Sequence, residues 1–290
     1  MNWLKLTRIA LLPTIVWDFC AGLFLASVTI GEFPWLALLA LALIYHSSMI
    51  LNDYADRKID AVHRLQRPLI NGSINPYIAL VVAIVSQAIA LGTCYFFFNF
   101  AFTFCAYLLV VVNLYNFSPP QLRKHLGPSL LATARAFSLM FGVAAVLGPG
   151  EALNVVSYPA VMAYALYFLF LSRLAQHEEH GIEAKRGISL LVMATLAPCL
   201  LFASNIMQPL LLVAYLVFAV LALRNVKSIS SATWSPADVQ YLIRSGLGKA
   251  PLVLGLALIA SGDSSNQLVA IFSIAVVIIT GRLARFIAIS

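Results

Sequence analysis

Long, nearly uninterrupted apolar runs limit the folds open to this sequence more than any other feature. The run Tyr77–Phe98, for example, is long enough to cross the ~30 Å hydrocarbon core of a bilayer as a helix. Only 10% of the 290 residues are charged, whereas a soluble domain carries about 25%. Lipid admits only helices and closed barrels, and these runs are too long for barrel strands. The sequence therefore predicts an all-α, polytopic bundle of transmembrane helices.

Ten segments have the length and composition of membrane spans, and they form one predicted domain covering residues 1–290. The ninth segment is short, and we expect it to begin earlier, within Asp238–Leu247, with Arg244 and Lys249 reaching toward water. The ten predicted spans are Ile9–Val28, Pro34–Leu51, Pro76–Phe98, Phe100–Phe117, Ser129–Leu147, Val155–Leu171, Ile188–Ser204, Met207–Leu223, Ala250–Ser261 and Gln267–Thr280.

Basic residues are confined almost entirely to the loops on one side of the predicted bundle, which we call the basic face. The opposite loops hold no basic residue and contain Glu32, Glu151 and Asp263. The positive-inside rule therefore predicts a cytoplasmic basic face, with a bacterial inner membrane as the expected location. Orientation accounts for the net charge of +7, so no nucleic-acid partner is expected. The basic face consists of both termini and loops 52–75, 118–128, 172–187 and 224–249, and it holds 17 of the 18 basic residues, including Lys227.

An acidic cluster follows the second span. If the helix continues, Asn52, Asp53, Asp56 and Asp60 fall within an arc of roughly 100° on one face. One interpretation is a solvated helix end, with local pairing to Arg57 and Lys58. The other is a Mg²⁺ site, because Mg²⁺ prefers oxygen ligands and commonly joins one or two carboxylates to substrate phosphates. Two arginines just downstream, Arg64 and Arg67, suit an anionic phosphate and favour a lipid diphosphate as the ligand.

The acidic cluster and the segments after it resemble the UbiA superfamily of intramembrane prenyltransferases. The run Asn52-Asp53-x-x-Asp56-x-x-x-Asp60 is similar to the first aspartate-rich motif of that family, and Arg64-x-x-Arg67-Pro68-Leu69-x-x-Gly72 is similar to the segment after it. The resemblance continues through Leu114-Tyr115-Asn116, Arg123-Lys124, Leu126-Gly127-Pro128 and Arg135, and spans Arg8 to about Gly187. The first span and the C-terminal Arg282–Phe286 resemble a branch found in the ebo gene clusters.

This resemblance implies nine to ten helices around a central cavity, and Mg²⁺-dependent transfer of a prenyl group from a prenyl diphosphate to a lipophilic acceptor. It implies that Asp53, Asp56 and Asp60 hold the metal, and that Arg64 and Arg67 contact phosphate. Substrate-binding roles follow by the same resemblance for Asn52, Tyr115, Asn116 and Lys124. Membrane lipids surround such an enzyme. The resemblance does not identify the acceptor, the length of the prenyl chain or the oligomeric state.

The family's second aspartate-rich motif is altered in this chain. The matching region, residues 171–183, contains no aspartate, but Glu178, Glu179 and Glu183 are available as carboxylates. Glu179 and Glu183 are spaced to share a helix face, unless Gly181 breaks the helix. We consider a substitute metal or diphosphate site there, a solvated loop, or a zinc site at His177 and His180. Zinc is the weakest of these, because no third ligand is evident.

Asp18 and Arg135 lie within apolar spans, where charges are costly and usually face the protein interior or a watery cavity. One interpretation is that they pair and only tie helices together. The other places Arg135 beside the diphosphate and Asp18 near the acceptor, as an orienting group or proton acceptor.

Two further functions stay open for the protein as a whole. One is a transporter that uses these charges as substrate or proton sites, and the other is a catalytically altered, lipid-binding homologue.

Overall fold

The structure is a computed structural model that describes residues 2–26, 33–147, 158–203, 208–224, 226 and 232–287. The loop residues Glu32, Glu151 and Lys227 lie outside the described residues. So do the ends of several predicted spans, namely residues 27–28, 155–157, 204 and 207.

Nearly all of the described chain is helical. Short 3₁₀ segments cover Ile9–Leu11 and Ala197–Ala203, and two-residue strands β1 (Ile182–Glu183) and β2 (Thr233–Trp234) pair antiparallel. The α-helices are α1 (Asn2–Leu6), α2 (Leu12–Leu25), α3 (Trp35–His63), α4 (Pro76–Phe97), α5 (Asn99–Phe117), α6 (Pro120–Ala144), α7 (Tyr158–Ala175), α8 (Ala184–Leu196), α9 (Pro209–Leu223), α10 (Pro236–Ala260), α11 (Ser264–Ala270) and α12 (Phe272–Ile287).

The predicted multi-span helical membrane fold is confirmed. Within the described residues, eight helical segments are long and apolar enough to cross a membrane, and the segments Ile9–Leu25 and Pro209–Leu223 are shorter apolar helices. Each of these ten segments overlaps one of the ten predicted spans. Many of their large apolar side chains are exposed, such as Val81 at 59% and Val217 at 55%, which a water-facing surface would not tolerate in such numbers but a lipid-facing surface requires.

Several predicted boundaries are wrong, and polar residues or prolines explain the errors. The second span ends at Leu51 in the prediction, and α3 continues past it to His63, which is the continuation considered for the acidic cluster; Asp53 and Asp60 in this extension are buried. The fifth span starts at Ser129 in the prediction, but α6 begins at Pro120 and carries Pro128 inside it. The ninth begins earlier than its apolar core, as expected, and α10 runs from Pro236 through Pro251.

Neighbouring helices pack side by side around α2. Helix α3 packs against α2, α4 and α5, and α5 packs against α6. Helix α6 packs against α2 and α7, α7 packs against α10, and α10 returns to α2. One apolar core lies around α2, α3, α5 and α6, and the larger one lies around α2, α7 and α10. Helix α2 contributes to both cores, so it is the central element of the bundle.

The α2–α6 contact depends on two glycines. A Cβ atom on Gly22 would lie 2.2 Å from the carbonyl oxygen of Leu139, and one on Gly142 would lie 2.2 Å from that of Phe19. Small residues allow this backbone approach, which is common where membrane helices cross closely. The same two helices carry Asp18 and Arg135, so the glycines set the separation of that charged pair.

Substituting Gly142→Ala is therefore expected to destabilise the protein by about 1–3 kcal/mol, because the backbone cannot move apart without loss of packing. Equilibrium unfolding in detergent micelles measures the effect. The matched control is Gly92→Ala in α4, where a Cβ would meet no atom within 4 Å. An equal response of both variants would contradict the inferred close approach.

The strands β1 and β2 join two loops of the basic face. Ile182 pairs with Trp234, and Glu183 pairs with Thr233. The Trp234 side chain is buried and lies over Gly187, where a Cβ would come within 2.3 Å of the indole ring. Gly181 adopts a positive φ of 76°, so the chain turns there and enters the strand. The shared helix face considered for Glu179 and Glu183 is therefore wrong, because Gly181 ends the turn that carries Glu179.

Candidate active site

The last three turns of α3 carry the acidic cluster. Asp53 and Asp60 are spaced by seven residues, two helical turns, and so lie on the same face. Both are buried, with 6% and 4% of their surface exposed. These two carboxylates therefore do not belong to a solvated helix end. Arg57 does not pair with them either; its guanidinium lies over the Tyr54 ring and donates to the Tyr54 carbonyl oxygen.

Arg67 binds both buried carboxylates. Its Nη1 atom donates to Asp53 Oδ1 at 3.1 Å and to Asp60 Oδ2. The side chain is itself buried, and the turn that follows α3 holds its backbone, since the amides of Ile70 and Asn71 donate to its carbonyl oxygen. Two carboxylates and one guanidinium thus converge on a single point, where each charge offsets the desolvation of the others.

Two further arginines reach the cluster from distant parts of the chain. Arg8 Nη2 donates to Asp53 Oδ1 at 3.3 Å, from a residue held at a positive φ of 51° just before the first 3₁₀ segment. Arg123, in the first turn of α6, donates from Nη2 to Asp56 Oδ1 at 2.6 Å and lies 5.9 Å from the ring centre of Tyr115. Each aspartate of the predicted motif therefore has an arginine partner.

Arg64 joins the first acidic segment to the second. Its Nη2 atom donates to Glu178 Oε1 at 3.0 Å and to Glu179 Oε1 at 3.4 Å, and its Nη1 lies 4.0 Å from Asp60 Oδ1. Burial acts to lower the pKa of Arg64, but the hydrogen bond and charge of Glu178, with Asp60 and Glu179, raise it overall. The loops after α3 and α7 are thereby tied together at the basic face.

Basic residues lie close to His177. Burial first, and then the charges of Arg186, Lys124 and His180, lower the pKa of His177. The neighbouring Gln176 donates from Nε2 to the carbonyl oxygen of Lys124, which brings the start of α6 beside this loop. The loop after α7 therefore brings basic side chains to the rim of the acidic cluster.

The donor set fits one hard divalent cation at Asp53 and Asp60. Mg²⁺ favours one or two carboxylates completed by water and phosphate oxygens, and these two carboxylates face one point, which Arg67 Nη1 occupies. Across the described ranges, no group of three or more His, Cys, Asp or Glu side chains is gathered as a metal cluster. The three-carboxylate and zinc arrangements are therefore not assembled in that part of the chain.

A second charged network lies inside the bundle. Arg135 Nη1 donates to Asp18 Oδ2 at 2.7 Å, and Tyr164 donates its hydroxyl to Asp18 Oδ1. The guanidinium also lies 4.7 Å from the ring centre of Phe168, and its Nη2 lies 3.5 Å from the Thr14 hydroxyl oxygen. Asp18 is only 1% exposed. The network joins α2, α6 and α7, and each charge in it is compensated.

The sequence profile of the UbiA prenyltransferase family matches residues 15–242. The chain belongs to this family. Among similar curated proteins, the digeranylgeranylglyceryl phosphate synthase of Thermococcus sibiricus is 31% identical over 132 residues, which cover 43% of this chain and 46% of that protein. The protoheme IX farnesyltransferase of Leptospira biflexa is 32% identical over 123 residues, covering 39% and 42%. The matched region thus spans less than half the length of these two relatives.

Solved UbiA homologues share the fold. The apo homologue from Aeropyrum pernix K1 is 15% identical with a TM-score of 0.64, covering 86% of this chain and 96% of that chain. A homologue from Archaeoglobus fulgidus bound to DMAPP and Mg²⁺ is 19% identical with a TM-score of 0.52, covering 96% and 99%. At these identities the likeness establishes the helical architecture of this UbiA family member.

Within this UbiA architecture, four of the remaining predicted site residues lie at or near the acidic cluster, and Glu183 does not contact it. Asn52 is half-buried on the acidic stretch of α3. Asn116 is buried and donates from Nδ2 to the Ser48 carbonyl oxygen at 3.1 Å, so it ties α5 to α3 beneath the acidic cluster. Tyr115 lies under Arg123, and Lys124 lies next to the loop after α7, where its carbonyl oxygen accepts from Gln176. Glu183 is exposed in β1, away from the arginine pairs.

Three residues that contact the site are absent from the predicted set. Arg8 and Arg123 pair with Asp53 and Asp56, and Tyr164 completes the intramembrane network. Arg123 stands in a motif of the UbiA resemblance, which was a usable signal. Arg8 is one basic residue among many on the basic face, and Tyr164 is one of several tyrosines in an apolar span, so neither carries a specific signal.

Proposed function

We propose that this UbiA family member is a Mg²⁺-dependent intramembrane prenyltransferase, which transfers a prenyl group from a prenyl diphosphate to an apolar or aromatic acceptor. The observation that carries the proposal is the convergence of Asp53 and Asp60 with Arg67 at a buried point, flanked by Arg8 and Arg64. The Archaeoglobus fulgidus homologue that shares the fold was solved with DMAPP and Mg²⁺, which supports the same donor class here.

In this proposal the residues of the acidic cluster hold the diphosphate head. Asp53 and Asp60 hold Mg²⁺, with Asp56 and Asn52 beside them, and bound Mg²⁺ stabilises the negative charge that develops on the leaving diphosphate. Arg64 and Arg67 orient the phosphate oxygens, because guanidinium groups pair with them bidentately. Tyr115, Asn116 and Lys124 complete the wall around that head. The apolar bundle excludes water from the prenyl chain.

The transfer breaks the allylic C–O bond, whose electron pair leaves with diphosphate, and forms a new bond from the acceptor to the prenyl carbon. The acceptor then loses one proton. We place Asp18 at the acceptor end as the group that orients the nucleophile or takes this proton, with Arg135 compensating its charge.

The second acidic segment acts here by holding Arg64. Glu178 and Glu179 both accept from that guanidinium, which keeps it next to Asp60. A second Mg²⁺ at Glu179 and Glu183 stays a prediction. The contacts favour a direct arginine link between the two acidic segments, because Glu183 is exposed in β1 while the other two glutamates pair with Arg64.

The same proposal places the protein in a bacterial inner membrane with its basic face in the cytoplasm. The segregation of basic residues supports this orientation. The diphosphate head then binds at the cytoplasmic rim, where soluble metal and diphosphate are accessible, and the prenyl chain lies in the bilayer.

Reconstituted vesicles test the function directly. The full chain is incubated with Mg²⁺ and a radiolabelled prenyl diphosphate in an extract of membrane lipids, and both diphosphate release and the labelled product are measured. We expect release and transfer with Mg²⁺ and neither with EDTA. Accumulation of unmodified label inside the vesicles would instead indicate transport. Tight binding without turnover would indicate a catalytically altered homologue.

Replacing Arg64 with glutamine is expected to raise the KM for prenyl diphosphate about tenfold or more, because a charge-assisted contact to phosphate is lost. Initial rates across a range of prenyl diphosphate concentrations give the result. The matched control is Arg244→Gln, which removes an exposed arginine from α10 on the same face. An unchanged KM in Arg64→Gln would exclude a role for this arginine in diphosphate binding.

A further inference from the structure

Lys249 places a positive charge inside a helix that spans the membrane. It lies thirteen residues after the first residue of α10, between the buried Leu242 and the buried Val253. A charge at such a position is costly and usually faces a polar cavity or an ion of opposite sign. Lys249 has no part in the acidic cluster or in the Asp18 network.

A small cavity lies beside Lys249, with a volume of about 20 Å³, roughly enough for one water molecule. Two of its hydroxyl groups already donate elsewhere, since Tyr167 donates to the Gly246 carbonyl oxygen at 2.7 Å and Thr195 donates to that of Leu191 at 2.8 Å. The cavity is lined by Tyr167, Leu171, Leu191, Ala194, Thr195, Ala222, Leu242, Ser245, Gly246 and Lys249.

The cavity has an excess of positive charge. An ammonium group has three donors and no acceptor, and Lys249 Nζ donates one of them to Ser245 Oγ at 2.6 Å. Among the residues that the structure describes, no carboxylate lies within ion-pair distance of Lys249. A second cation, Arg224, is close enough to interact with it electrostatically. An anion is therefore the ligand that this arrangement favours.

The position of the cavity points to a lipid as the source of that anion. Ala222 lies in the last turn of α9, two residues before Arg224, so the cavity lies near the end of that helix at the basic face. The outer surfaces of α8 and α9 beside it are apolar and exposed, as acyl chains require. Their exposed side chains include Ile188, Met193, Leu196, Leu216, Val217 and Val220.

We propose that the cavity around Lys249 binds the phosphate of an anionic phospholipid in the leaflet on the basic face. One phosphate oxygen enters the cavity and accepts from Lys249, Arg224 contacts the head group from the surface, and the acyl chains lie along α8 and α9. Basic pockets between membrane helices on the cytoplasmic side recognise anionic head groups in this way. This site is separate from the proposed prenyl diphosphate site and does not depend on it.

Native mass spectrometry of the full chain in detergent tests the site, with phosphatidylglycerol and phosphatidylcholine of identical acyl chains as probes. We expect the wild type to retain phosphatidylglycerol in preference, and Lys249→Met to bind it about fivefold more weakly, as loss of one cation near the head group implies. Lys249→Arg is expected to keep the preference. The matched control is Lys185→Met, which removes an exposed cation from the neighbouring α8.

A second variant guards against a folding defect in Lys249→Met. Ala222→Phe leaves every charge in place but fills the cavity, and it is expected to abolish the preference as well. Equal retention of the two lipids by the wild type, or an unchanged preference in both variants, would overturn the proposal. Displacement of phosphatidylglycerol by millimolar inorganic phosphate would also overturn it, because the site would then recognise a free anion.

Discussion

Asp53→Asn is expected to lower the rate of diphosphate release from a prenyl diphosphate about 10²- to 10³-fold, the loss usual when a single preorganised charge-stabilising group is removed. Asp53 contributes one of the two buried carboxylates that converge with Arg67. Asparagine keeps the shape of the side chain but removes the charge that Mg²⁺ requires. We also expect the Mg²⁺ concentration for half-maximal rate to rise, which a metal titration in vesicles measures.

The Asp53→Asn variant is expected to fold, because Arg67 keeps its contact with Asp60 and Arg8 is partly exposed to water. The control is Asp238→Asn, which alters a half-buried carboxylate of the capping box at the start of α10. That control should retain wild-type activity. Full activity and an unshifted Mg²⁺ dependence in Asp53→Asn would rule out the proposed metal-binding role of Asp53.

The fold could be predicted from sequence because the bilayer imposes a simple rule. An apolar run of sufficient length has to be a helix, and basic residues mark the ends that remain on one side. The rule fails at boundaries, where it takes the first polar residue or proline as a helix end. Helix α3 continues past Asn52, with Asp53 and Asp60 of its polar face buried, and α6 continues through the buried Pro128.

The acidic cluster could be predicted because its members are close in sequence. Helical spacing alone puts Asp53 and Asp60 on one face, and Arg67 follows within two helical turns. The partners from elsewhere in the chain could not be predicted by spacing. Arg8 is 45 residues from Asp53, and Arg123 is 67 residues from Asp56. Only tertiary packing brings such pairs together, and local sequence patterns do not indicate which distant residues will meet.

The Asp18–Arg135 contact is compatible with both interpretations of this pair. The pair can tie helices together, and Asp18 can also orient the acceptor or take its proton. Replacing Arg135 with methionine is expected to destabilise the protein by about 3–5 kcal/mol, since it leaves a buried carboxylate supported only by Tyr164. The double variant Asp18→Asn with Arg135→Met is expected to recover most of that loss, because no buried charge remains unpaired. Equilibrium unfolding in lipid bicelles measures both, with Arg244→Met as the exposed control.

Activity of the stable double variant then separates the two roles. If Asp18 orients the acceptor or takes its proton, the double variant folds but transfers no prenyl group, while it still binds prenyl diphosphate through the intact acidic cluster. A double variant that is both stable and active would assign the pair to helix association alone. The separation is possible because the Asp18 network and the Asp53 cluster share no residue, so either can be altered without removing the charges of the other.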